Sequence, residues 1–190
     1  MLPMFRPKGA PISELWQWFK INHRRLEGAN SDDQAFKQLT NLFRRIDRNL
    51  TYDIRQEEFW ELQVSADGIP ELIPLVREVV DQAPKMDGWK ISAFRKPKAA
   101  PVTITAFDQS LNAENLFYTL DNEKHLTLFL PGLNDDNYRH LSHCAVIIVE
   151  SLIGEYPLMT QVDEIDYAEL PEPAPSTIKP VTSLPQALGV

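Results

Sequence analysis

Phe59-Trp60-Glu61-Leu62-Gln63-Val64-Ser65-Ala66 runs into the turn Asp67-Gly68-Ile69-Pro70, and an apolar-striped segment then leads to Gly88-Trp89-Lys90-Ile91-Ser92-Ala93-Phe94-Arg95. In the first run Trp60, Leu62, Val64 and Ala66 alternate with Glu61, Gln63 and Ser65, the period of a half-buried strand. Pro70 and Pro74 suit the start of a helix, where a missing N–H costs little. Leu72, Ile73, Leu75, Val76, Val79, Val80 and Ala83 give that helix a wide apolar face, so it is expected to be largely buried. Ala83-Pro84 stops it, because the residue before a proline is pushed out of helical backbone. Strand, helix and strand in this order predict an α+β architecture.

Upstream, Ser13 is a plausible N-cap for a helix over 13–27. Leu15, Phe19 and Leu26 fall within a narrow arc of it, flanked by Trp16 and Trp18. Ser31-Asp32-Asp33-Gln34 has capping-box spacing, and Phe36, Leu39, Phe43, Ile46 and Leu50 line one face of the helix that follows. Leu50 to Ile54 reads as a strand. Downstream, Val102 to Phe107 reads as a strand, and 116–120 with 125–130 flank the polar turn Asp121-Asn122-Glu123-Lys124 as a hairpin. A fourth helix carries Tyr138, Leu141, Ala145, Ile148, Val149 and Leu152 on one side and ends at Gly154. Its β-branched run, Cys144 to Val149, competes as a strand, but the helical period extends well beyond it. Val162 to Tyr167 is a last short strand.

These elements predict one domain over 13–170: a single mixed or mainly antiparallel sheet packed by about four helices. A flexible arm (1–12) precedes it. From Pro171 the chain interleaves five prolines with Ser, Thr and Ala, so 171–190 is expected to be a disordered tail.

The chain has 190 residues, 43% hydrophobic and 24% charged, with a formal charge of −8. Such an excess of acid argues against a nucleic-acid partner. The basic clusters His23-Arg24-Arg25 and Arg44-Arg45 sit on solvated helix faces. A lone cysteine, Cys144, excludes an internal disulfide and fits a reducing cytoplasm. The N-terminal residues lack the apolar stretch of a signal peptide, and no run approaches the roughly 20 apolar residues of a membrane span. The expected location is cytoplasmic.

Several fragments recur in order: Trp16-Gln17-Trp18-Phe19, Val64-Ser65-Ala66-Asp67-Gly68, Ala83-Pro84 before Gly88-Trp89-Lys90-Ile91, Leu126 to Pro131, Leu152-Ile153-Gly154-Glu155-Tyr156, and Val162 to Asp166. Together they resemble a family of small bacterial cytosolic proteins built on a domain of unknown function. The resemblance spans about 13–171. It implies a bacterial α+β domain and carries over no catalytic residue.

Four constellations carry possible chemistry. His140 and His143 are helical neighbours, with Cys144 turned about 100° away, but a metal site needs three or four ligands and none completes the set. Solvated histidines beside a semi-buried thiol is the stronger reading. Glu155 with Asp163 or Asp166 would form an acid–base pair or a divalent-cation site if the last strand passes Gly154. Ordinary surface acids compete with that reading. Ser65 precedes a glycine turn, but the flanking glycines of a nucleophile elbow are missing, and Asp67-Gly68 reads as a turn. Trp16 and Trp18 could anchor a protein interface, against a place at the edge of the core.

The sequence therefore favours a non-catalytic protein-interaction or regulatory module. It would contact another protein or a second copy through Trp16 and Trp18, with no cofactor or metal called for. The alternative is a hydrolase or divalent-metal enzyme using Glu155 with Asp163 or Asp166.

Overall fold

The strand, turn, helix and strand around Asp67-Gly68 form in the order read, and the same topology recurs in the second half of the chain. The computed structural model describes residues 10–28, 33–98, 102–106 and 109–190. The class is α+β, but the chain divides into two compact units, Met1–Phe94 and Arg95–Val190, rather than one domain. Three sheets replace the single sheet expected, with six α-helices among the described residues.

The first unit opens with helix α1 (Ala10–Asn22), which continues as a 3-10 turn over His23–Leu26. It begins inside the segment expected to be a flexible arm; residues 1–9 of that arm lie outside the described residues. Helix α2 (Gln34–Ile46) is capped by Asp33, whose carboxylate accepts from the Ala35 N–H at 2.6 Å. Ser31 and Asp32 of the predicted capping box lie outside the described residues. Strands β1 (Thr51–Gln56) and β2 (Trp60–Ser65) pair antiparallel, and β2 pairs parallel with β3 (Trp89–Ala93), giving the order β1-β2-β3. The link from β2 to β3 is a tight turn, a 3-10 turn (Pro70–Leu72) and helix α3 (Ile73–Asp81). Only Val76 and Val79 of α3 are fully buried, because a three-stranded sheet offers a narrow floor. Leu72, Ile73, Leu75, Val80 and Ala83 stay half-buried.

In the second unit, β4 (Thr103–Ala106) and β5 (Gln109–Asn112) form a separate two-stranded sheet. Strands β6 (Phe117–Leu120) and β7 (His125–Leu130) form the predicted hairpin, whose Asp121 side chain accepts from the N–H groups of Glu123 and His125. Leu126, Leu128 and Leu130 are fully buried in a core that includes Leu141, Ala145, Ile148 and Val149 of helix α4 (Tyr138–Ile153). The β-branched run is thus helical, as the longer periodicity requires. A short helix α5 (Glu155–Gln161) and strand β8 (Glu164–Glu169) follow, with β8 parallel to β7. Each unit therefore contains a ββαβ arrangement, β1-β2-α3-β3 and β6-β7-α4-α5-β8, with its second strand in the middle.

The tail is not disordered along its length. Residues 171–177 are exposed, but strand β9 (Lys179–Pro180) pairs with β6, completing the order β8-β7-β6-β9. The Val181 N–H donates to the Leu116 carbonyl at 2.8 Å. Helix α6 (Leu184–Leu188) then ends at left-handed Gly189. Val181 and Leu184 are fully buried and Leu188 packs against the same core. A stripe at i, i+3 and i+7 lies hidden in proline-rich composition, and its burial offsets the ordering cost that low apolar content implies.

Among the described residues no single helix is long and apolar enough to cross a membrane. Two half-buried phenols brace the sheets. Tyr52 stacks on Phe43 (centroids 4.9 Å apart) and donates to the Phe36 carbonyl, while Tyr167 of β8 meets Tyr138 edge-on at 5.9 Å. Burial raises both pKa values above the usual 10.0; Thr40 partly offsets this for Tyr52, and Tyr138 adds to it for Tyr167. The unfolded chain then loses these protons first, so stability that is intact below about pH 10 falls as pH rises through the native pKa values. Ultraviolet titration of the phenolates should show late-ionising tyrosines, and the urea midpoint should fall across the same interval. Simultaneous ionisation of all the tyrosines near the free value would contradict this.

Candidate functional site

Trp16 is a core residue, which corrects its expected place on a contact surface. It is 4% exposed, and its indole N–H donates to the Val79 carbonyl at 2.9 Å. That carbonyl belongs to the last turn of α3, where carbonyls have no partner within the helix. Trp16 therefore ties α1 to the end of α3. Phe19 stands edge-on to Trp16 at 5.8 Å and to Trp89 at 5.1 Å, and Trp89 stacks on its cross-strand partner Trp60 at 5.8 Å. The Trp89 indole N–H reaches Glu27 at 3.0 Å. Trp16, Phe19 and Trp89 are thus core, while Trp18 and Trp60 are half-buried.

Trp18 is half-buried on the outer side of α1. One turn on, Ile21 is 81% exposed, the most exposed large hydrophobic side chain among the described residues. Residues three apart on a helix are neighbours, so Trp18 and Ile21 form an outward apolar pair. Ile21 was missed in the sequence because it lies outside the arc of Leu15 and Phe19; its i, i+3 spacing from Trp18 was the available signal.

Glu155 is fully buried. Its carboxylate accepts the Arg95 N–H at 2.9 Å, and its own N–H donates to the Arg95 carbonyl at 2.9 Å. The Arg95 guanidinium reaches Glu150 at 3.4 Å, and the Lys98 N–H donates to the Ser151 carbonyl. Asp163 and Asp166 are exposed. All of α5 separates Glu155 from Asp163, about 10 Å at 1.5 Å per residue, and the acids do not converge on one point. Cys144 is fully buried rather than semi-buried, with His140 half-buried and His143 exposed. Among the described residues no group of three or more His, Cys, Asp or Glu is arranged to hold a metal ion. Ser65 is buried, and its hydroxyl accepts the Asp67 N–H at 2.9 Å, so it builds the turn. Asp67 (φ 52°) and Gly68 (φ 77°) are both left-handed, and the Ile69 N–H closes onto the Ala66 carbonyl, a type I′ turn.

No protein-family model, curated protein or solved structure matches the chain.

The Glu155 arrangement makes its own prediction. Gly154 sits at φ 85°, ψ 158°, backbone that suits glycine alone, and a Cβ there would lie 3.0 Å from Pro97 Cδ and 3.3 Å from the Arg95 carbonyl. Gly154→Ala should cost about 1–3 kcal/mol from backbone strain before any clash. Glu155→Ala should cost a similar 1–3 kcal/mol or so by leaving the Arg95 N–H unpaired. Urea unfolding measures both, and wild-type midpoints would rule out the structural role.

Proposed function

We propose that the protein is a cytoplasmic, non-catalytic interaction module whose α1 carries the contact surface. The observation that carries this reading is exposed Ile21 one turn from half-buried Trp18. A partly exposed tryptophan beside an isoleucine turned to water has the composition of an interface anchor, large apolar area on a rigid element. Glu14, exposed on the same helix and paired with Arg45, supplies a polar rim. Burial of Glu155 and its engagement with Arg95 weigh against the competing hydrolase reading.

The test is affinity capture from host lysate with wild type, Ile21→Asp, Trp18→Ala and Trp16→Phe. Ile21→Asp should abolish partner retention with an unchanged melting temperature, since the side chain leaves no cavity. Trp18→Ala should weaken retention with a modest loss of stability. Trp16→Phe should do the reverse: it orphans the Val79 carbonyl, costing about 1–3 kcal/mol, while partner retention persists at temperatures where the variant is folded. Equal retention by wild type and Ile21→Asp would sink the assignment.

A further inference from the structure

A groove of ≈ 510 Å³ opens where β7 and β8 end side by side, lined by Pro131, Gly132, Glu169, Leu170, Pro171 and Glu172. Alternation along β8 puts Tyr167 and Glu169 on one face, so the Tyr138–Tyr167 pair stands next to the groove. Tyr138 is 47% exposed, an aromatic ring left largely to water. Pro131 and Pro171 are exposed as well.

The charge around this groove has one sign. Arg95–Val190 carries thirteen Asp or Glu and six Lys or Arg, so seven of the eight net negative charges reside in this unit. In 131–142 and 167–178, the segments that build the groove and its approaches, four acids (Asp135, Asp136, Glu169 and Glu172) stand against one cation, Arg139. The first turn of α4 offers an anion little: Asn134 already accepts from the N–H groups of Asp136, Asn137 and Tyr138. An anionic ligand would meet acids and satisfied donors.

We propose that this groove docks an extended, basic, proline-containing segment of a partner protein. Prolyl rings pack on tyrosine and proline surfaces at small conformational cost, because the extended helix is preformed. Glu169 and Glu172 pair with lysine or arginine of the segment, fixing its direction and speeding encounter. This surface is separate from the Trp18–Ile21 face and does not depend on it.

The test is fluorescence anisotropy of the full chain with a labelled Pro-Pro-Arg repeat peptide and a Pro-Pro-Glu repeat of equal length. The arginine peptide should bind saturably and more weakly as salt rises, and the glutamate peptide should not bind. Glu169→Lys with Glu172→Lys, both exposed, should weaken binding at least about tenfold, or ~1.4 kcal/mol, and Tyr138→Ala should weaken it measurably. Glu123→Lys with Asp163→Lys makes the same charge change about 20 Å away, at the opposite end of the strands, and should have much less effect. Three results would overturn the proposal: equal binding of the two peptides, equal loss from both charge-reversed pairs, or full binding by Tyr138→Ala. The first would show no charge recognition, the second general attraction to an acidic unit, and the third no ring recognition.

Discussion

In the second unit a fully buried carboxylate holds backbone rather than substrate, and much of the unit is organised by that constraint. Removing a carboxylate from water is costly, so a buried Glu persists only where hydrogen bonds replace its hydration. Glu155 obtains one from the Arg95 N–H and returns one from its own N–H to the Arg95 carbonyl. This exchange fixes the chain entering the unit against the junction of α4 and α5. It also explains Gly154: with Arg95 and Pro97 pressed against the junction, any side chain there would be strained in backbone and crowded by neighbours. Arg95 and the fragment Leu152–Tyr156, far apart in sequence, thus meet at Glu155.

The first unit is organised differently, around aromatic rings with polar edges. Phe19 sits between Trp16 and Trp89, and each indole N–H has an acceptor, the Val79 carbonyl and the Glu27 carboxylate. Buried tryptophans without such partners would be less stable, since a lost hydrogen bond in the interior costs more than the bond contributes. The cluster therefore sets where α1 and α3 sit against the sheet. It also leaves Trp18 and Ile21 facing outward, because the arc that buries Leu15, Trp16 and Phe19 uses up the inner side of the helix.

Much of this was legible in the sequence wherever period and punctuation agreed. The Asp67-Gly68 turn, the Asp121–Lys124 hairpin and the Gly154 stop all appear where the residues put them, whereas the alternation of 60–66 gives a strand but not a half-buried one: Gln63 and Ser65 are as fully buried as Leu62 and Val64. Sheet count was not legible, because alternation shows that a strand has two faces and not which strands share an edge. The tail was misread because Pro171, Pro173 and Pro175 dominate its composition, while Val181, Leu184 and Leu188 bury in the core. Trp16 and Trp18 illustrate the limit at a site: two residues apart on a helix point well away from each other, yet the sequence paired them. Glu155 read as a candidate acid because burial and partnership with a residue 60 positions away leave no local signature.

The two ββαβ arrangements show why equal topology need not give equal surfaces. In each, the middle strand delivers the chain to a crossover at its C-terminal end, the place where open sheets with parallel strands tend to form crevices. After β2, Asp67 and Gly68 turn the chain at once, and Ser65 closes the turn from inside. After β7 a connection of the same seven residues takes another path: Gly132 begins it, and Asn134 and Asn137 hold it until α4 starts at Tyr138. There Tyr138 stands against Tyr167. Beyond β8 the chain leaves through Leu170 and Pro171 rather than folding back at once. Turn chemistry and the direction of exit, acting on one strand order, shape a groove in the second unit, while Asp67 and Gly68 close the first crossover in a tight turn.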